Sequence, residues 1–231
     1  LHDAEFDTRI SEDLTQALVD ATKSVQAEVQ QANARSTATH EALQKRGLAL
    51  YPFQREAVHW LSGRSTALLA DEMGLGKTLV ALTAAPENAP ILVICPAVAK
   101  GVWTREAKAW RPDLSISVKK GRGSFAWPKP GELVCINYDI LPSDLAMGIP
   151  RPNTLVILDE AHLVKNHKAV RSVKTCTITS LVREHGGRTW ALTAPPLPNT
   201  PFDLWGVLRA RGAAEEAFDS WKRLVELFRG Y

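Results

Sequence analysis

The sequence predicts an α/β domain with a mainly parallel sheet and helices on both faces, and three observations carry that prediction. Short apolar runs of strand length alternate with segments of helical periodicity, the pattern of strands covered on both faces by crossover helices. A Gly-Lys-Thr loop stands between one such strand and the helix after it, in "LLADEMGLGKTLVAL" at 68–82. Another apolar strand ends in an adjacent Asp-Glu pair, in "LVILDEAH" at 155–162.

Taken in order, residues 1–46 read as a separate helical extension. They are polar, rich in alanine and glutamine, and free of proline and glycine. Leu14, Leu18, Ala21, Val25 and Ala32 follow a heptad-like spacing that Glu28 interrupts, so a helix lying on the domain or projecting into solvent is expected rather than a coiled coil. Residues 47–231 form the α/β lobe. Its predicted strands are "TALLA" (66–70), "ILVIC" (91–95), "SISVK" (115–119), "LVCINY" (133–138), "TLVILD" (154–159) and "TWALT" (189–193). Between them "KTLVALTAA", "VWTREAKAW" and "KAVRSVKTCTITSLV" read as amphipathic helices. Two further helices are predicted around Gly212, with no second α/β sheet after them and no internal repeat.

At 231 residues the chain is long enough for a large core. A formal charge of +3 permits a nucleic-acid partner without arguing for one. Cys95, Cys135 and Cys176 lack the C-x-x-C spacing of zinc or redox sites and read as buried, reduced thiols of an intracellular protein. His162, His167 and His185 match no common zinc spacing. No apolar run approaches the roughly 18 residues that span a membrane, so no membrane partner is expected. With Met73 and Met147 its only methionines, the chain reads as a piece of something longer.

The loop and the acidic pair have complementary chemistry. At a helix N-terminus, the backbone N–H groups around Gly74, Leu75, Gly76, Lys77 and Thr78 can converge on phosphate, with the two glycines allowing close approach. Lys77 would neutralise β/γ-phosphate charge and the Thr78 hydroxyl would hold Mg2+. The strict G-x-x-x-x-G-K-[ST] pattern wants a glycine where Asp71 stands. Asp159 and Glu160 fall at the C-terminal edge of a strand, where open α/β sheets bind ligands. Asp159 can hold the magnesium of a nucleotide and Glu160 can orient and deprotonate water. Singly, each feature is also a solvated strand end or a chance tripeptide; together they point to nucleotide.

"DEMGLGKT" with "DEAH" resembles motifs I and II of superfamily-two helicases, specifically Swi/Snf-type DNA translocases, whose motif I commonly carries the aspartate seen at Asp71. "LALYPFQREAVHWL" is similar to the family's Q motif, which implies Tyr51 and Gln54 at the adenine. "ILVICPAVAKGVWTREAKAW" resembles motif Ia, "VCINYDIL" motif Ib, and Lys165-Asn166 the extension of motif II. The phrasing looks most like the branch containing annealing helicases and their bacterial and phage relatives.

The resemblance implies the first RecA-like lobe of an ATPase that binds Mg-ATP and the backbone of double-stranded DNA. It also implies coupling residues at His162 and Thr193, and a location in cytoplasm or nucleoid in a bacterium or phage and in the nucleus of a eukaryote. For DNA, the candidates are Lys100 with Arg105, the loop "KKGRG" with Lys119, Lys120 and Arg122, and Lys165 and Asn166. These suit phosphate contact without base reading, although "KKGRG" reads first as a solvated turn. Trp103, Trp110 and Trp127 read as core anchors rather than stacking platforms.

Two departures from the family pattern matter. "LTAPPLPN" at 192–199 has Ala194 and Pro195 where Gly-Thr is usual; alanine disfavours positive φ, and proline removes an N–H and a hydroxyl. Weaker coupling is therefore expected, with nucleotide binding retained. The family's second RecA-like lobe, whose arginines complete the ATP site, is not within the 231 residues, so weak hydrolysis by the lobe alone is expected. The competing readings are a degenerate lobe that binds nucleotide or DNA as an interaction module without turnover, and an unrelated phosphate-loop kinase or switch.

Overall fold

The computed structural model describes residues 49–121, 123, 125–142, 148–194 and 201–210. The predicted extension at 1–46, Arg122, Pro195 and the helix expected after Gly212 lie outside the described residues. By its contacts the chain divides into two compact units, Leu1–Gly63 and Arg64–Tyr231, and each is described by itself.

In the first unit, helix α1 spans Pro52–Ser62. Proline at its first turn presets φ and lacks only an N–H that the helix could not use. Gln54 Oε1 accepts the N–H of Tyr51 at 3.1 Å, the reaching-back half of a capping box. Val58 and Leu61 are buried. Tyr51 and Phe53 are exposed and stacked, ring centroids 5.8 Å apart.

The second unit is a six-stranded sheet. Its strands are β1 (Thr66–Leu69), β2 (Ile91–Cys95), β3 (Ser115–Val118), β4 (Glu132–Asn137), β5 (Leu155–Leu158) and β6 (Arg188–Leu192), and its helices α2 (Lys77–Ala84), α3 (Lys100–Trp110), α4 (Val170–Glu184) and α5 (Pro201–Ala210). The strand order is β1-β6-β5-β2-β4-β3, and every neighbouring pair is parallel. All six predicted strands are present, each within about a residue of its expected ends.

Every residue of β2 and β5 is buried, which explains why both read as unbroken apolar runs. Leu92, Ile94, Val134, Ile136, Val156 and Leu158 share a core with Ile178 and Val182 of α4 and Val207 and Ala210 of α5. Each fully buried aliphatic side chain of this kind contributes roughly 1.5–3 kcal/mol. α2 packs on α3, and α3 on β3 and β4. None of the residues of α2 and α3 belongs to the α4–α5 core, so the sheet is covered on both faces.

Two seams lock these layers. The Arg111 guanidinium, just beyond α3, is buried and donates to the carbonyls of Leu82 at 3.1 Å and Ala85 at 2.9 Å, closing the C-terminus of α2. It also forms a fork with Asp113, through Nε at 2.9 Å and Nη2 at 2.8 Å. On the other side, Gly206 of α5 lies against the main chain of Lys165, whose carbonyl carbon would be 2.7 Å from any added Cβ.

Cys95 and Cys135 are buried as expected, but Cys176, near the middle of α4, is only partly buried because it sits at the margin of the core. Trp103 is fully buried. Trp127 is half-buried at the edge of the α4–α5 core, its indole donating to Gly148 O at 3.0 Å, and Trp110 is also only half-buried. Among the described residues, no helix is long and apolar enough to cross a membrane.

Candidate nucleotide site

Because all strands are parallel, their C-terminal ends share one edge of the sheet, and the neighbours β1, β6 and β5 bring three predicted motifs there. β1 leads into the loop at 70–76, β6 into Thr193, and β5 into Asp159 and Glu160. The Thr193 N–H donates to Leu69 O at 3.1 Å, which ties the exit of β6 to the start of the phosphate loop.

The loop depends on its glycines. Gly74 and Gly76 have φ of 83° and 79°, values that a side chain would strain. Gly76 is the left-handed N-cap of α2, and its carbonyl accepts the Val80 N–H at 2.9 Å. Lys77 folds back over the loop: its ammonium donates to Asp71 O at 2.8 Å and to Glu72 O at 2.9 Å. The partner is thus the main chain of Asp71 rather than its carboxylate.

Asp159 is held from four directions. Its N–H donates to Ile94 O at 2.8 Å, and its carbonyl accepts the Tyr138 hydroxyl at 2.8 Å. Oδ1 accepts the Glu160 N–H at 3.1 Å, and Oδ2 accepts the Trp103 indole N–H at 2.8 Å. Burial raises its carboxyl above the ordinary value; the Trp103 bond opposes that, and the Glu160 charge adds to it. A half-desolvated carboxylate of this kind is stabilised by a nearby cation.

Glu160 adopts the left-handed region, φ 50° and ψ 52°. A non-glycine residue tolerates this only where its surroundings dictate it. Its Oε2 lies 3.2 Å from His162 Nδ1, an attractive contact only when that nitrogen carries a proton. Otherwise Oε2 is buried without a hydrogen-bond donor. A buried carboxylate oxygen with a single imidazole neighbour, beside a desolvated aspartate, fits a site for a cation and its waters. Among the described residues, no three His, Cys, Asp or Glu side chains gather as a metal cage. That suits magnesium, which commonly takes one or two protein ligands and fills its sphere with phosphate oxygens and water.

Of the expected DNA residues, the structure brings Lys100 and Lys119 together. Lys100 turns inward, donating to Lys119 O and to Asn137 Oδ1, both at 2.6 Å. Two of its three ammonium protons therefore hold α3 to the ends of β3 and β4. Lys119 is half-buried and Lys120 exposed. Asn166 is exposed and accepts the Lys168 N–H at 3.1 Å, and Lys165 supplies the backbone against which Gly206 packs. Trp103, Tyr138 and Arg111 escaped the sequence reading as parts of the site or its frame, because their partners are 56, 21 and up to 29 residues away.

A match to the SNF2-related domain spans residues 53–226. The chain belongs to this family. Its relatives include an uncharacterized ATP-dependent helicase of Mycoplasma pneumoniae, 30% identical over 181 residues, with 70% of this chain and 16% of the relative covered. They also include the human DNA annealing helicase and endonuclease ZRANB3, 30% identical over 172 residues, with 70% and 16% covered. The annealing-helicase branch is therefore represented among the family members that it resembles. The SWI2/SNF2 ATPase core of Sulfolobus solfataricus in complex with dsDNA superimposes with a TM-score of 0.57 at 24% identity, covering 73% of this chain and 38% of that one. That likeness shows the fold, a RecA-like SNF2 lobe. The chain spans about a sixth of the length of these two curated relatives.

Proposed function

We propose that this SNF2-related chain is the ATP-binding lobe of a DNA translocase, coupling ATP hydrolysis to movement on duplex DNA together with a second RecA-like lobe. The observation that carries the reading is the shared sheet edge: the Lys77 loop, Thr193, and the Asp159–Glu160 pair leave three adjacent parallel strands. In this reading the N–H groups of Gly74 to Thr78 receive the phosphates, and Lys77 leaves its loop carbonyls to pair with phosphate charge. Asp71 contributes the main-chain oxygen on which Lys77 rests beforehand. Thr78 and Asp159 would hold magnesium, which when bound supplies charge neutralisation at the phosphate oxygens. Glu160, whose Oε2 is buried beside His162 Nδ1, orients and deprotonates the attacking water. Tyr51 and Gln54 meet the adenine. His162, against Glu160, and Thr193, bonded to the strand that precedes the loop, relay nucleotide state. Lys119, Lys120, Lys165 and Asn166 would contact the DNA backbone, as would Arg122 from outside the described residues, with Lys100 in a supporting part.

Calorimetric titration of Mg-ATP into the chain and its Lys77→Ala variant tests the site, followed by phosphate release with and without duplex DNA. Binding by wild type, loss of at least tenfold in the variant, and slow release little changed by DNA are expected. No binding by wild type would remove the nucleotide reading, and rapid DNA-stimulated release from these 231 residues alone would remove the need for a second lobe.

Ala194, which follows Thr193 where the family usually has glycine, favours a second reading: an interaction module that holds nucleotide or DNA without turnover. It predicts DNA affinity indifferent to nucleotide, and no measurable turnover in a two-lobed protein until Ala194→Gly with Pro195→Thr restores the family's usual residues.

A further inference from the structure

We propose that Trp103 is a positioning residue for the Asp159 carboxylate, fixing the orientation in which it receives the metal of a bound nucleotide. The inference rests on the nucleotide reading above and extends it to a residue of a different element. Trp103 is fully buried on α3, where an indole N–H must find an acceptor or forfeit its hydrogen bond. It finds Asp159 Oδ2 at 2.8 Å, the length of a charge-assisted bond. A carboxylate is acceptor-only, with about four lone-pair sites on its two oxygens. Trp103 occupies one on Oδ2 and the Glu160 N–H one on Oδ1, so one site on each oxygen is left for a cation or its waters. With both oxygens engaged, the group cannot turn about its terminal torsion without breaking a bond.

The main chain is fixed as firmly. Tyr138, at the exit of β4, bonds to Asp159 O, and β2 accepts the Asp159 N–H through Ile94. Of the four bonds, the one from Trp103 is the only one that brings a different helix to bear on the carboxylate. α3 is itself pinned at its first residue, where the Lys100 ammonium bonds to Asn137 Oδ1 and Lys119 O. The placement of the carboxylate is therefore set by α3 as much as by β5.

Trp103→Phe keeps an aromatic ring and removes the N–H. The test measures ADP affinity calorimetrically in EDTA and over a magnesium series, for wild type and variant. Trp103→Phe should bind metal-free ADP within about twofold of wild type, and need about tenfold more magnesium to reach half of the metal-dependent gain. A purely structural role would weaken both alike. In parallel, the indole N–H resonances of 15N-labelled wild type are followed as magnesium is added to the ADP-loaded protein. The Trp103 signal, assigned by its loss in Trp103→Phe or by its displacement in Asp159→Asn should the first variant not fold, should move.

A folded Trp103→Phe with an unaltered magnesium midpoint, or a Trp103 resonance unmoved while magnesium tightens ADP binding, overturns the inference and leaves the nucleotide reading standing. Wild type that binds no ADP overturns both.

Discussion

The Lys77 ammonium lies 2.8 Å from the carbonyl oxygen of Asp71, closing the loop on itself through the main chain at the position where the strict phosphate-loop pattern would place glycine. Since the acceptor is a backbone oxygen, the carboxylate of Asp71 is not what holds the lysine. Asp71→Ala is expected to change ADP affinity by less than about threefold, and Lys77→Ala to weaken it by about tenfold or more, since a charge-assisted hydrogen bond contributes roughly 1.5–3 kcal/mol. Titration calorimetry of both variants checks the pair. An Asp71→Ala defect as large as that of Lys77→Ala would show that the carboxylate itself has a role at the phosphates.

Arg111 closes the C-terminus of the helix that begins with Lys77. Its fork serves two carbonyls at the C-terminal end of α2 and the Asp113 carboxylate at once, and Arg111→Ala takes the buried donor away from both carbonyls. A loss of about 2–3 kcal/mol is expected, or roughly 4–12 °C in Tm for a chain of this size. Arg111→Lys should recover only part of it, because a single ammonium cannot reproduce the planar fork. Thermal melts of the two variants read the difference.

Glycines at two helix positions should respond in opposite directions. At Gly206 a methyl group would run into the Lys165 carbonyl, so Gly206→Ala should destabilise by about 3 kcal/mol, near the upper end for overpacking. At Gly101 in α3 an added Cβ meets nothing within 4 Å, and Gly101→Ala should stabilise by roughly 0.5–1 kcal/mol through helix propensity. Urea denaturation of the pair gives both signs in one experiment.

Buried thiols make the fold sensitive to alkali. Burial pushes the Cys135 thiol up to about 12 from 9.0, with the nearby Lys100 charge opposing, and pushes Cys95 up further. The native state therefore keeps protons that the unfolded state releases above pH 9. Their contribution is complete below pH 9 and is lost as pH rises from there toward the folded values, by up to about 1.4 kcal/mol per unit for each thiol. Urea denaturation from pH 8 to 10 should show a shallower decline in Cys135→Ala than in wild type. Iodoacetamide at pH 8.5 should leave Cys95 and Cys135 of the folded protein unmodified.

The fold was legible because each strand announces itself locally. "ILVIC" and "LVIL" are unbroken apolar runs since β2 and β5 have neighbours on both sides and cover on both faces. The glycine loop at 70–76 and the Asp-Glu pair stood out for a related reason: each is a contiguous stretch whose proposed chemistry depends on adjacent residues. The Trp103–Asp159 bond was not. An indole that packs apolar atoms and one that also donates to a carboxylate 56 residues away look identical in sequence, and nothing local distinguishes them. The Lys100 bond was hidden likewise, since a lysine at the start of a helix gives no sign that its ammonium turns inward to Asn137. Long-range polar pairs depend on sheet order, and β2 lying between β4 and β5 is what brings Tyr138 and Trp103 to Asp159.

The contact of Gly206 with Lys165 joins a helix made late in the chain to a segment made about forty residues earlier. By residue 192 all six strands have been made, so the sheet can pair and the acidic pair can take its place at the strand edge. The segment just beyond His162 is backed first by α4, whose Ser172 hydroxyl donates to Val164 O at 3.1 Å, and gains its second support when α5 emerges from the ribosome and Gly206 settles on the Lys165 backbone. A nascent chain halted before that helix would carry a finished sheet with its acidic pair backed from α4 alone, and ligand capture by stalled chains of increasing length would rise again at that helix after the last strand.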